Sequence, residues 1–441
     1  MAGAYTPTAP DRQQVRVRVM DEHVDLTRWT HYSFASNFLT PSDGWSCTIG
    51  DGNLDERERR ALVPGARVRL YVDQAPLAEG FIDTVAVSAD RSSGVQYTID
   101  GRDRLGLAVD GIADPTLQFK KGATLADVLK ELFAPFGWVA DEHFRIDNDA
   151  NRDAKTGGVR GVPTTKGGKK TGPKPLKDFV LHQLKPHNHE GVYAFASRIT
   201  QRFGLWIWCT ADGEQLVVGR PDFQQEPRYE LRRTRGGDTN VLSGEVKFDM
   251  TDQPSVIIAD GFSGGGEFGK GRIKSFCVNP YFGVDEDAFV LPEVTELLKK
   301  FPDAEQVTMT IPTPYKRRRV NAPIRPMFLH DDESKTQEQL NNFVRREMSL
   351  LLRKSMTAHY IVEGHGQNVS GTFTPWDVDT VVEVHDEVAE VHERMYVLSR
   401  TFEKSRSGGT HTRLELVRLN SIQFGDSLLA GGDPTQPTPE S

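Results

Sequence analysis

Several short stretches hold residue types at spacings that chemistry uses. GGGEFGKG, residues 264–271, has the G-x-x-x-x-G-K spacing of a phosphate-binding loop from Gly264 to Lys270. Gly271 stands where Ser or Thr must hold Mg²⁺, and the RIKSFCV that follows is strand-like and offers no helix N-terminus. It reads as a Gly-rich loop. DNDANRD, residues 147–153, places Asp147, Asp149 and Asn151 at alternate positions like a calcium loop. Arg152 replaces the glycine of the sharp turn and Gly158 takes the place of the bidentate Glu, so no calcium is expected. His182, His187 and His189 lack a partner pair at zinc spacing, and Lys316 to Arg319 read as a solvated or interface loop. No cysteine stands in a reactive context, and 62 acidic residues single out no carboxylate pair. Neither an enzyme nor a metal or other cofactor is expected.

Bulk properties narrow the class further. The 441 residues require several compact units, and a net charge of −8 gives no global attraction to nucleic acid. Cys47, Cys209 and Cys277 are far apart and odd in number, which fits reduced thiols and assembly in a cytosol. The N-terminus has no basic region followed by an apolar one, and no run approaches a membrane span, so neither a Sec signal nor a span is expected.

The elements that would position any site come in two periods. VRVRV (15–19), VRLYVD (68–73), GFIDTVAVS (80–88) and VQYTID (95–100) alternate apolar and polar residues between turn signals, which predicts an antiparallel sheet or small barrel over 10–110. Residues 111–221 change to helical spacing. Leu125, Val128, Leu129, Leu132 and Phe133 share one face behind a Thr124/Asp127 capping box, and Val192, Phe195, Ala196, Ile199 and Phe203 share another. LWIWCT and EQLVVG then form a hairpin around Asp212 and Gly213. Trp206 and Trp208 alternate on its first strand and read as packing residues.

Within this α+β unit, residues 152–177 carry eight Lys or Arg, one Asp and six Gly, the composition of a flexible basic insertion. Residues 222–253 are assigned as connecting strands that could complete the first barrel. Residues 254–425 are assigned to a second barrel, with a long insertion at 262–325 and a helix at 334–354 capped by Ser334 and Gln337. Residues 426–441 form a disordered tail. The fold class is mainly β with α+β insertions: two related antiparallel, tube-like β-barrel domains plus accessory α+β domains.

The two barrels are expected to be related because two distant regions share a grammar. The stretches beginning at Val68 and Val381 each have a strand ending in Asp, a turn, a long second strand, a charged Ser-Gly turn and a third strand. Three copies of a chain with two such units present six similar units around one axis.

GFIDTV, VQYTIDGRD and LGLAVDGIAD resemble the baseplate hub proteins of Mu-type contractile phage tails, the late control D and tail hub superfamily. TLADVLKELFAPFGW, AFASRITQRFGLWIWCTADGEQLVVGRP, the Arg325-Pro326 pair, RREMSLLLRKS, YIVEGHGQ and the C-terminal meander follow in the same order, so the resemblance spans residues 15–425. The segments 152–177 and 262–325 are longer than that pattern requires.

The resemblance implies a structural hub in a virion tail baseplate, assembled in the bacterial cytoplasm. It would be a homotrimer of pseudo-six-fold symmetry joining a hexameric tail tube to a trimeric spike, in contact with other baseplate proteins. DNA would pass through its channel without sequence-specific binding. In that picture Gly101, Arg102 and Asp103 are a structural joint: Gly101 lets the chain turn out of the first barrel, Asp103 caps the next turn and Arg102 pairs with a carboxylate. The alternatives are a tail-borne cell-wall hydrolase and a nucleic-acid-binding protein acting through 152–177.

Overall fold

The computed structural model describes residues 13–92, 94–120, 122–139, 143–146, 158–166, 169–175, 185–201, 205–219, 221, 223, 225–237, 239–262, 271–280, 292–309, 324–332, 334, 336–369, 371–405, 409–419 and 421. The first lobe comprises β1 (Val15–Val19), β2 (Val24–Leu26), β3 (His31–Asn37), β4 (Gly44–Gly50), α1 (Glu56–Ala61), β5 (Arg67–Val72), β6 (Ala75–Asp90) and β7 (Gly94–Asp103). β1, β3, β4 and β5 alternate buried residues with more exposed ones, as in the buried Val15, Val17 and Val19 of β1. One face is therefore committed to the core.

An α+β module follows: α2 (Gly106–Asp110), α3 (Leu125–Phe133), β8 (Phe144–Ile146), β9 (Gly158–Lys166), β10 (Lys169–Pro175), α4 (Val192–Gln201), β11 (Trp206–Cys209) and β12 (Leu216–Gly219). Thr124 and Asp127 form the expected capping box, and the five apolar residues of α3 are buried with Trp138, Phe195 and Ile199 in a separate core. The basic segment departs from the loop expected of it. β9 and β10 pair antiparallel on either side of residues 167–168, and the Val and Thr of 159–165 provide strand-forming residues despite the charge.

The remaining elements are β13 (Tyr229–Arg233), β14 (Val241–Phe248), β15 (Val256–Phe262), β16 (Arg272–Val278), α5 (Pro292–Leu298), β17 (Glu305–Val307), β18 (Pro326–Asp331), α6 (Gln337–Ser355), β19 (Met356–Glu363), β20 (Gly366–Val369), β21 (Thr372–Pro375), β22 (Val381–Asp386), β23 (Val391–Ser405) and β24 (Gly409–Arg418). Two sequence-based boundaries are corrected here. β13 pairs with β22 and β14 with β19, so residues 222–253 contribute strands to the second lobe, not the first. β15 to β18 make a four-stranded sheet of their own under α6, with Ile257, Ala259, Cys277, Leu340, Val344 and Met348 between them. α6 also starts later than expected. Its cap is Thr336, whose side chain accepts from Gln339 N, while Gln337 donates to Ser275 Oγ at 2.7 Å and ties the helix to β16.

The two lobes belong to one large, mainly antiparallel sheet with the order β14-β19-β24-β23-β3-β4-β7-β6-β5-β1-β2. Five strands repeat. In the first lobe β5, β6, β7, β4 and β3 are successive neighbours, and in the second β22, β23, β24, β19 and β14 are, with every pairing antiparallel. The match extends to detail. β6 bulges between Ile82 and Thr84 where β23 bulges between Val397 and Ser399, and both hairpins close on a glycine of positive φ, Gly94 and Gly409. Beyond these five, β1 is antiparallel to β5 whereas β13 is parallel to β22. Neither lobe is closed into a barrel by strand pairing among the described residues.

Candidate functional site: the joint and the interlobe seam

The chain leaves the first lobe through Gly101, Arg102 and Asp103, and each side chain there has a separate task. β7 continues to Asp103, and Gly101 lies inside it, opposite Trp45 of β4 and Ile82 of β6. The expected turn at Gly101 is therefore corrected: glycine is needed there for space. A Cβ would sit 2.2 Å from the Phe81 carbonyl oxygen and 2.4 Å from the Trp45 ring.

Arg102 donates from Nε to Asp83 Oδ2 at 2.7 Å and from Nη1 to Asp110 Oδ1 at 2.9 Å, bridging the β6 bulge to α2. The hydrogen bonds to Asp110 and then Asp83 hold the guanidinium well above its ordinary pKa, and Asp110 is lowered in return. All three side chains are at least one-third exposed, so the network contributes direction more than stability.

Asp103 is held on both oxygens. Its Oδ1 accepts from Ser42 Oγ at 2.6 Å, Leu105 N at 3.0 Å and Gly106 N at 3.3 Å, and its Oδ2 accepts from Asp43 N at 3.0 Å. One carboxylate thus fastens the β3–β4 connection to the start of α2. Burial pushes the Asp103 and Asp43 carboxyls up, their proximity raises Asp43 further, and Arg400 of the second lobe pulls Asp43 back down. Two adjacent carboxyls of raised pKa are also the ingredients of an acid–base pair. Here the donors engaging Asp103 come from the chain itself, which is the geometry of a clamp.

Arg104 is the residue that sequence reasoning missed. Its guanidinium donates to Gly213 O and Phe136 O, each at 2.9 Å, and lies 4.5 Å from the centre of the Trp138 ring. It ties the α+β module to the first lobe. The only sequence signal was a third charged residue in Arg102-Asp103-Arg104, with nothing to say that its partners lie 32 and 109 residues away. Nearby, the buried Glu79 carboxylate accepts from Arg67 Nε and Arg69 Nε, each at 2.7 Å.

The seam between the lobes is the antiparallel pairing of β3 with β23, from Asn37 opposite Ser399 to Tyr32 opposite Lys404. Phe34 faces Phe402, and both are buried in one core that draws on strands of the two lobes. Tyr32 Oη lies 2.6 Å from Nε2 of the buried His365, whose pKa burial pushes down to about 3. Trp206 of the α+β module packs with Phe38 and Tyr396 at the edge of the seam.

Among the described residues, no group of three or more His, Cys, Asp or Glu is placed to hold a metal ion. No described helix is long and apolar enough to cross a membrane, and the three cysteines are free thiols. Asp147–Asp153, Gly264–Lys270, Lys316–Arg319 and His182 lie outside the described residues.

The first lobe, with its bulged β6 and its seven strands closed by Asp103, decides the comparison. Residues 14–103 match the family of Mu phage baseplate assembly protein GpP-like, N-terminal. The resemblance first carried by GFIDTV and VQYTIDGRD is thus met over the whole of β1–β7. Two solved structures share the fold of nearly the entire chain. The tail protein from Neisseria meningitidis MC58 is 20% identical, with 93% of this chain and 98% of that chain covered and a TM-score of 0.65. The prophage MuSo2 43 kDa tail protein from Shewanella oneidensis is 16% identical, with 93% and 100% covered and a TM-score of 0.65. No curated protein matches the sequence.

Proposed function

We propose that this GpP-like chain is the structural hub of a contractile-tail baseplate, in a phage or a phage-derived injection particle. Three copies form a ring of six similar lobes. One side of the ring presents near-six-fold symmetry to a hexameric tail tube, and the other presents three-fold symmetry to a trimeric spike. Each lobe then acts as a tube-like barrel unit of the ring, and DNA passes through the channel without sequence-specific contacts.

The observation that carries the reading is the repeat of five strands in the same order and sense in both lobes, down to the bulge and the turn glycine. A chain with two equivalent lobes is what a three-fold assembly needs in order to meet a six-fold one. The GpP-like match of the first lobe supports the baseplate setting. Gly101, Arg102, Asp103 and Arg104 serve as the joint that fixes the α+β module against this ring, with no catalytic role.

Native mass spectrometry and electron microscopy of the purified protein test the proposal. The expected species has about three times the 49.3 kDa of one chain and a ring shape. A species that stays monomeric at high concentration, alone and with tube and spike proteins, refutes it.

A further inference from the structure

The seam inside one chain is a template for the seam between chains. The repeat gives β23 the place of β6 and β3 the place of β14. Registers against β24 and β7 put Arg400 to Lys404 in the places of Val85 to Ala89. Registers through β19 and β4 put Tyr32 to Ser36 in the places of Gly244 to Phe248. Within the chain, β23 and β3 pair with each other over these residues.

Their counterparts, β6 and β14, lie at opposite ends of the repeat. β5 accompanies β6 only as far as Phe81, and among the described residues no strand lies along that edge of β6 from Thr84 to Asp90. β14 pairs with β19 on one side, and among the described residues no strand lies on its other side.

Burial follows the same division. Phe402 is 0% exposed and Phe34 is 3% exposed at the internal seam, whereas Val87, in the place of Phe402, is 59% exposed. Ser36 is buried, and its counterpart Phe248 is 38% exposed. Val85 and Val246 already flank the shared core, one on each edge. Apolar side chains along an open strand edge invite another strand and are a hazard if left uncovered.

We infer that β6 of one copy pairs antiparallel with β14 of the next. The register is Val85 opposite Phe248, Ala86 opposite Lys247, Val87 opposite Val246, Ser88 opposite Glu245 and Ala89 opposite Gly244. The partner of this surface is therefore a second copy of the chain. Val85, Val87, Val246 and Phe248 share one face, so the pairing extends the core around the ring as Phe34 and Phe402 do within the chain. The inference rests on the hub reading and specifies how its copies join.

The test introduces Val87→Cys with Val246→Cys in a Cys209→Ser background, where the remaining Cys47 and Cys277 are buried. Native mass spectrometry comes first, then mild oxidation and a non-reducing gel. Covalent dimers and trimers are expected. They should be absent from Ala86→Cys with Val246→Cys, because a one-residue slip puts the thiols on opposite faces. Trimers in the mass spectrum with no cross-link above that control overturn the pairing and leave the hub reading standing. Monomers alone overturn both. A cross-linked ladder running past three copies supports the pairing and overturns the closed trimer. In a second variant, Val87→Asp alters an exposed side chain, so circular dichroism should be unchanged while trimer affinity falls by about tenfold or more through the cost of burying an unpaired charge. A Val87→Asp trimer of undiminished affinity also sinks the pairing.

Discussion

Replacing Gly101 by alanine tests whether the joint depends on space rather than backbone freedom. The new Cβ would meet the Phe81 carbonyl oxygen at 2.2 Å and the Trp45 ring at 2.4 Å. The carbonyl is part of the β6–β7 backbone and cannot swing aside as a side-chain tip would. Overpacking of this kind costs about 1–3 kcal/mol, and two contacts this short, one of them to backbone, belong at the upper end. Alanine also reduces unfolded-chain entropy, which returns about 0.4–1 kcal/mol. A net loss of about 2 kcal/mol follows, which at about 2–4 °C per kcal/mol is a fall of roughly 4–8 °C in the melting transition of the two lobes, which share one core. Differential scanning calorimetry reads it.

Gly44→Ala is the control. Gly44 stands opposite Arg102 in the same ladder, and a Cβ there meets nothing within 4 Å. Its melting temperature should not fall, and should rise by up to about 4 °C from the unfolded-chain entropy alone. Adding Trp45→Phe to Gly101→Ala should restore only part of the loss, since the carbonyl contact remains. A Gly101→Ala protein melting within about 1 °C of the wild type would refute the steric argument.

Further outcomes concern the seam and the module. His365 is buried with its pKa near 3, below its ordinary value of 6.5, so the unfolded chain binds the proton that the folded chain refuses. Its contribution to stability is full above about pH 6.5 and is lost as pH falls toward 3, and His365→Gln should flatten that limb of the melting temperature against pH. If the limb keeps its slope, His365 is not its source. Arg104→Ala removes two hydrogen bonds to carbonyls and a ring contact, and limited proteolysis should then cut between the first lobe and the α+β module while circular dichroism stays close to wild type. Protection equal to the wild type would mean that the module is held by other contacts.

Much of the architecture was legible because burial writes itself into period. The alternation of VRVRV and the helical spacing of Leu125 to Phe133 each specify a face, and those faces are buried. Period says nothing about which strand lies alongside. Residues 222–253 were therefore assigned away from the second lobe, although β13 and β14 pair there. The cap of α6 was misplaced for a related reason: Ser334 and Thr336 are both suitable side chains, and the tertiary contact of Gln337 with Ser275 goes with the later start. At the joint, the Gly-Arg-Asp tripeptide was visible and its partners were not. Glycine at 101 answers to Trp45, which is distant in sequence, and Arg104 answers to backbone carbonyls that leave no mark on residue type.

The six residue pairs joining β3 to β23 also have a mechanical meaning. A force that drew the two lobes apart along those strands would load the linking backbone bonds together, in shear, instead of peeling them one by one. A pull on one lobe would thus reach the other as rigid displacement with little bending between them. In the contractile tail proposed above, such stiffness would carry the impulse of a sudden stroke across each subunit before the chain had time to yield.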